Sequence, residues 1–99
     1  MSMNIGSITA LMIEKPIRYY NFNYYYTEIK IRFLHDRNYL ATAIALADGV
    51  IGQSLFDIYR QGDYIIIQGH FCTVDKEQQN TSLVIYVTEV NPASLFMSK

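Results

Sequence analysis

The run from Tyr24 to Phe33 limits the fold of this 99-residue chain more than any other stretch. Tyr25, Thr27, Ile29, Ile31 and Phe33 fill one set of alternate positions, and Tyr24, Tyr26, Glu28, Lys30 and Arg32 fill the other. Successive side chains of a strand point to opposite faces. The first set therefore belongs inside, and the second, charged and aromatic, belongs outside.

The rest of the chain is punctuated in the same way. Ile5 to Ile13 reads as a first strand, with Ile5 and Ser7 on one face and Ile8 on the other. Lys15-Pro16 ends or bends it, because proline cannot donate to a ladder. Asn21-Phe22-Asn23 and His35-Asp36-Arg37-Asn38 have turn chemistry, so Tyr39 to Ala47 returns antiparallel to the second strand. Asp48-Gly49 closes that third strand. Ser54 to Arg60 reads as a short helix with Ile51, Leu55 and Ile58 on one stripe, Tyr59 beside them, and Gly62 as its stop. Tyr64 to Phe71 is a buried strand whose inner set is Ile65, Ile67, Gly69 and Phe71. A polar hairpin loop over Asp75 to Thr81 leads to a last strand, Ser82 to Val90, ended by Asn91-Pro92. The expectation is an all-β domain over residues 1–99, with five strands and one short helix between strands three and four. That element order is the order of the OB barrel.

Composition bounds the function. At 51% hydrophobic and 17% charged, the chain has enough apolar material for one modest core and does not read as a disordered tail. Its single cysteine, Cys72, excludes an internal disulfide and fits a small core residue. The longest apolar runs, such as Leu83-Val84-Ile85-Tyr86-Val87, are too short to cross a membrane, and the first residues lack a secretory pattern. Net charge is −1, but residues 1–45 carry +2 and residues 46–99 carry −3, so any attraction for an anion comes from the first half. No serine sits in a nucleophile elbow, and Gly49-Val50-Ile51-Gly52 lacks the lysine of a phosphate loop. His35 and His70 have no partners at metal-ligand spacing. A non-enzyme without metal, cofactor or small-molecule substrate is expected.

Three stretches carry a resemblance. Arg60-Gln61-Gly62-Asp63-Tyr64 through Gln68-Gly69-His70-Phe71 resembles the helix end and fourth strand of bacterial single-stranded DNA-binding proteins. Val87-Thr88-Glu89-Val90 is similar to that family's last strand, and Pro16-Ile17-Arg18-Tyr19 to its turn before the second strand. The matches keep the family's order and cover most of the chain. The segment after Val90 carries no acidic peptide, so the resemblance is to the bare OB domains of the primosomal replication protein N type. It extends to the single-stranded DNA-binding reading frames of red-lineage plastid genomes, which implies a plastid stroma; without it the chain reads as cytoplasmic. Thr42 and Asp48 fall where the family places stacking aromatics, which implies weaker binding.

The resemblance implies non-catalytic, sequence-tolerant binding of single-stranded nucleic acid, DNA ahead of RNA, and that function needs aromatic platforms and cations on one surface. Arg18, Tyr19, Tyr20, Tyr24, Tyr26, Lys30 and Arg32 supply both. The same tyrosines would serve equally at a subunit interface. An OB subunit of an assembly that has lost nucleic-acid binding is the alternative. The last strand, Leu83 to Val90, reads as apolar on both faces, and the family pairs through strands, so a homo-oligomer, dimer or tetramer built from dimers, is expected.

Overall fold

In the computed structural model, which describes residues 3–36, 39–76 and 80–93, six strands and one helix follow one another. They are β1 (Met3–Met12), β2 (Ile17–Asn21), β3 (Tyr24–Asp36), β4 (Tyr39–Asp48), α1 (Gly49–Asp57), β5 (Tyr64–Lys76) and β6 (Asn80–Pro92). β1 lies antiparallel to β5 through Met3–Leu11 and then crosses to β3, where Leu11 faces Arg32 and Met12 faces Ile31. β4 and β6 pair in parallel over Ile44–Leu46 and Val84–Tyr86. The double membership of β1 closes β1-β5-β6-β4-β3 into a ring of five strands. The OB barrel with its helix between the third and fourth barrel strands is therefore present.

The sixth strand, β2, stands outside the ring and pairs with the first half of β3. The sequence marks Arg18 to Tyr20 only as flanks of a turn, because five residues are too few to show a period. The two-residue turn at Phe22-Asn23 creates the strand by folding it back on β3.

The core is built from alternate positions of every barrel strand. Ile29, Ile31, Ala43, Ala45, Ile65, Ile67 and Ile85 are almost fully buried, with Met12 and Cys72 beside them. Leu55 of α1 has no exposed surface and closes one end, where the helix packs on β3, β4 and β6. The small Ala43-Ala45-Ala47 series leaves room for the isoleucines opposite. Gly69 permits a bulge in the β5–β6 pairing. A Cβ there would overlap the Tyr86 carbonyl, and the register skips Thr88, so Val87 and Val90 both turn inward. The apolar density of the last strand is thus partly a bulge inside the barrel wall.

Several sequence expectations are corrected. The helix spans Gly49–Asp57, not Ser54 to Arg60, because Gly49 at φ +60° turns the chain directly out of β4. Ile58 caps the helix and is 65% exposed, so it leaves the apolar stripe. Gly62, at φ +97°, does not stop the helix; it forms the turn before β5, where its N–H donates to the Met12 carbonyl. The backbone of His35 and Asp36 continues β3 through an irregularity in place of a turn, and Arg37-Asn38 lie outside the described residues. β5 and β6 run on to Lys76 and from Asn80, so the polar segment is mostly strand, and residues 77–79 lie outside the described residues. Tyr25 is 55% exposed although it belongs to the inward set. It sits on the hairpin just beyond the first β3–β4 pair, Tyr26 with Asp48, and packs against Tyr20 and Arg18 at the surface.

Candidate nucleic-acid interface

The site is organised by the β2–β3 hairpin. Phe22 and Asn23 have φ of 51° and 65°, as a primed two-residue turn requires. The resulting register sets Tyr19 opposite Tyr26 and Tyr20 opposite Tyr25. Adjacent cross-strand pairs face opposite ways, so the hairpin carries one tyrosine pair on each side. On the outer side Tyr19 stacks on Tyr26 at 5.2 Å between ring centroids and 19° between planes. Tyr24 continues that row, 6.0 Å from Tyr26.

On the other side, Tyr20 tilts against Tyr25 at 4.7 Å and the Arg18 guanidinium lies 5.3 Å from the Tyr25 ring centre. Arg18 Nη1 donates to Thr27 Oγ1 at 3.0 Å, and Nη2 donates to Gln53 Oε1 at 2.9 Å. The fully buried Thr27 passes the chain on, donating to the Gly52 carbonyl at 2.6 Å. These bonds tie the hairpin to α1. The structure thus separates the sequence-derived set: Tyr19, Tyr24 and Tyr26 share the outer face, whereas Arg18 and Tyr20 face the helix side and Arg18 is engaged in holding the hairpin.

Lys30 and Arg32 continue the outer face of β3 and are exposed. About 27 Å of strand separates Tyr24 from Arg32 at ~3.4 Å per residue. Opposite them on β4 lie Ile44 and Thr42. Lys30 Nζ is 3.7 Å from Glu14 Oε2, with both side chains about half exposed (48% and 53%), so the pair adds little to stability. A shallow hollow of about 400 Å³ joins Glu14, Lys30, Thr42, Ile44 and Leu83.

At the other end of the row lies a second concavity of about 280 Å³, lined by Tyr24, Tyr26, Leu46, Ala47, Asp48, Tyr86 and Val87. Tyr24 donates its hydroxyl to Asp48 Oδ2 at 2.7 Å. That hydrogen bond, then desolvation and the carboxylate's charge, raise the Tyr24 pKa above the ordinary phenol value. The hydroxyl therefore stays protonated through the neutral range and keeps donating. Sequence reasoning left Tyr86 out. It is 44% exposed, next to Leu46 through the parallel β4–β6 pairing. The signal was its position alternating with Ile85 and Val87, hidden in a run apolar on both faces. Among the described residues, no three histidine, cysteine or carboxylate side chains converge as a metal site.

No protein-family model matches the chain, and no curated protein matches it in sequence. Solved structures do match. The small single-stranded DNA-binding protein of Streptomyces coelicolor superposes with a TM-score of 0.77 at 14% identity, over 94% of this chain and 95% of that one. The second single-stranded DNA-binding protein of Mycobacterium smegmatis gives 0.76 at 15% identity, over 99% and 100%. A domain of the same description from Synechococcus sp. gives 0.73 at 21% identity, over 91% and 96%. The chain shares their fold over essentially its whole described length.

Proposed function

We propose that this chain is a non-catalytic binder of single-stranded nucleic acid, single-stranded DNA in the first place, held across the outer face of β2, β3 and β4. The observation that carries the reading is the row Tyr19–Tyr26–Tyr24 continuous with Lys30 and Arg32 on one barrel face. Tyrosine rings offer stacking surface to any base, and the two cations follow the backbone. The similarity in fold to single-stranded DNA-binding proteins supports the same reading. Binding is weak, because Glu28 and Asp48 share the face with the cations and Thr42 offers no ring. It is largely sequence-tolerant, because stacking supplies most of the affinity.

Lys30→Ala with Arg32→Ala is expected to weaken binding of a mixed-sequence single strand. The slope of log K against log salt should flatten by about 1.4, at ~0.7 for each phosphate that is no longer neutralised. An unchanged slope would remove these residues from the interface.

The second reading, an assembly role, has its own observation. Along β1, Met3–Ala10 pair only with β5; among the described residues their other edge is open, and Ile5 on it is 79% exposed. Open edges attract a further strand. We infer a homo-oligomer, a dimer or a tetramer built from dimers, formed through this edge. Ile5→Lys should shift the mass measured by light scattering at micromolar concentration toward the monomer. A wild-type protein that is already monomeric there would end the inference.

A further inference from the structure

The hollow between β3, β4 and β6 contains a group that single-strand binding does not explain. Asp48 is an acid on a face meant for a polyanion, in a chain whose net charge is already −1. It also occupies the N-cap position of α1, where its backbone is extended (φ −116°, ψ −176°) as a cap requires. Aspartate is among the best residues for capping there. Yet its side chain makes no cap hydrogen bond and turns instead to the Tyr24 hydroxyl. The carboxylate thus forgoes its ordinary structural partner to sit on the wall of an aromatic hollow.

We propose that this hollow reads the edge of one base, accepting the amino-bearing bases, guanine first and then cytosine and adenine, and rejecting thymine and uracil. The proposal rests on the single-strand reading above and adds selectivity to it. A volume of about 280 Å³ holds roughly nine waters at ~30 Å³ each, or one planar base. Tyr24, Tyr26, Tyr86 and Leu46 supply flat and apolar walls for it. Phosphate is excluded by the charge of Asp48.

The hydrogen-bonding character of the wall decides which base fits. An ionised carboxylate only accepts. The Tyr24 hydroxyl has given its hydrogen to Oδ2, so it too offers only lone pairs to an incoming base. Guanine brings two adjacent donors, its ring N–H and its amino group. Cytosine and adenine bring one amino group each. Thymine and uracil bring a single N–H between two carbonyl oxygens, and those oxygens are repelled by the carboxylate. Tyr26 and Tyr86 hydroxyls can rotate to either role and do not reverse this preference.

The test compares three fluorescent strands of about fifteen nucleotides at low salt: oligothymidylate, oligocytidylate, and an alternating thymidine–guanosine strand. Wild-type protein is expected to bind the second and third at least about fivefold more tightly than the first. Asp48→Asn replaces an acceptor pair by one donor and one acceptor and removes the charge. It should raise affinity for oligothymidylate and shrink the preference to within about twofold. Tyr24→Phe should also shrink the preference, because Asp48 loses the bond that orients it, while the salt slope stays as in wild type. Equal wild-type binding of all three strands, or a preference unchanged in Asp48→Asn, would overturn base reading and leave single-strand binding standing. Failure to bind any of the strands would take down both.

Discussion

Tyr26→Ala is expected to lower the affinity for single-stranded DNA by roughly 10- to 100-fold while leaving the salt slope almost intact. Tyr26 is the centre of the aromatic row, stacked on Tyr19 and 6.0 Å from Tyr24. Its loss removes one platform and leaves Tyr19 without the ring that holds it flat. A stacked base is worth ~1–3 kcal/mol, which is about one to two decades in affinity. Stacking releases no counterion, so the salt dependence should not move. Tyr26→Phe keeps the ring and should bind nearly as well as wild type. Fluorescence anisotropy at several salt concentrations checks both variants. Wild-type affinity in Tyr26→Ala would mean that bases do not stack on this row.

Gly52→Ala is expected to destabilise the fold by about 2–3 kcal/mol, read as a lower urea midpoint. Helix propensity alone argues the other way, since alanine in place of a helical glycine gains up to ~1 kcal/mol. Packing decides the sign. The new Cβ would overlap the Ala47 carbonyl of β4 and approach Arg18 Nη1 to 3.3 Å. The first obstacle is backbone in the barrel wall, which cannot give way as a side chain would. The helix would have to lift, breaking the Thr27 bond to the Gly52 carbonyl and loosening the Arg18–Gln53 link. The hairpin that presents Tyr19 and Tyr26 would lose its anchor, so binding should fall as well. A midpoint at or above that of wild type would mean that α1 does not press on β4 at Gly52.

The two predictions depend on different kinds of information, and the sequence carried them unequally. The alternation from Tyr24 to Arg32 was legible because strand geometry alone assigns its faces, and the outward tyrosines and cations lie where it placed them. The barrel order was legible from turn residues and apolar runs. Tyr25 was misplaced because period two says which face a residue occupies, not whether anything covers that face; the ring ends before Tyr25. The role of Arg18 was not legible either. Its partners Thr27 and Gln53 are 9 and 35 residues away, and only the closed fold brings them together. Tyr86 joined the aromatic hollow through the parallel β4–β6 pairing, a long-range register no local pattern encodes. Asp48 was legible as an obstacle to phosphate, whereas its bond to Tyr24 and its missing cap bond are visible only in three dimensions.

The central claim is that the outer face of β2, β3 and β4 is the nucleic-acid interface, and residue-resolved mapping tests it most directly. Isotope-labelled protein would be titrated with a short mixed-sequence single strand while backbone amide signals are followed. The account predicts salt-sensitive shifts concentrated at Tyr19, Tyr24–Arg32, Thr42–Asp48 and Tyr86, with the Met3–Thr9 part of β1, which pairs only with β5, and the C-terminal end of α1 unmoved. Shifts confined to β1 and β5, or no shifts at low salt, would contradict it.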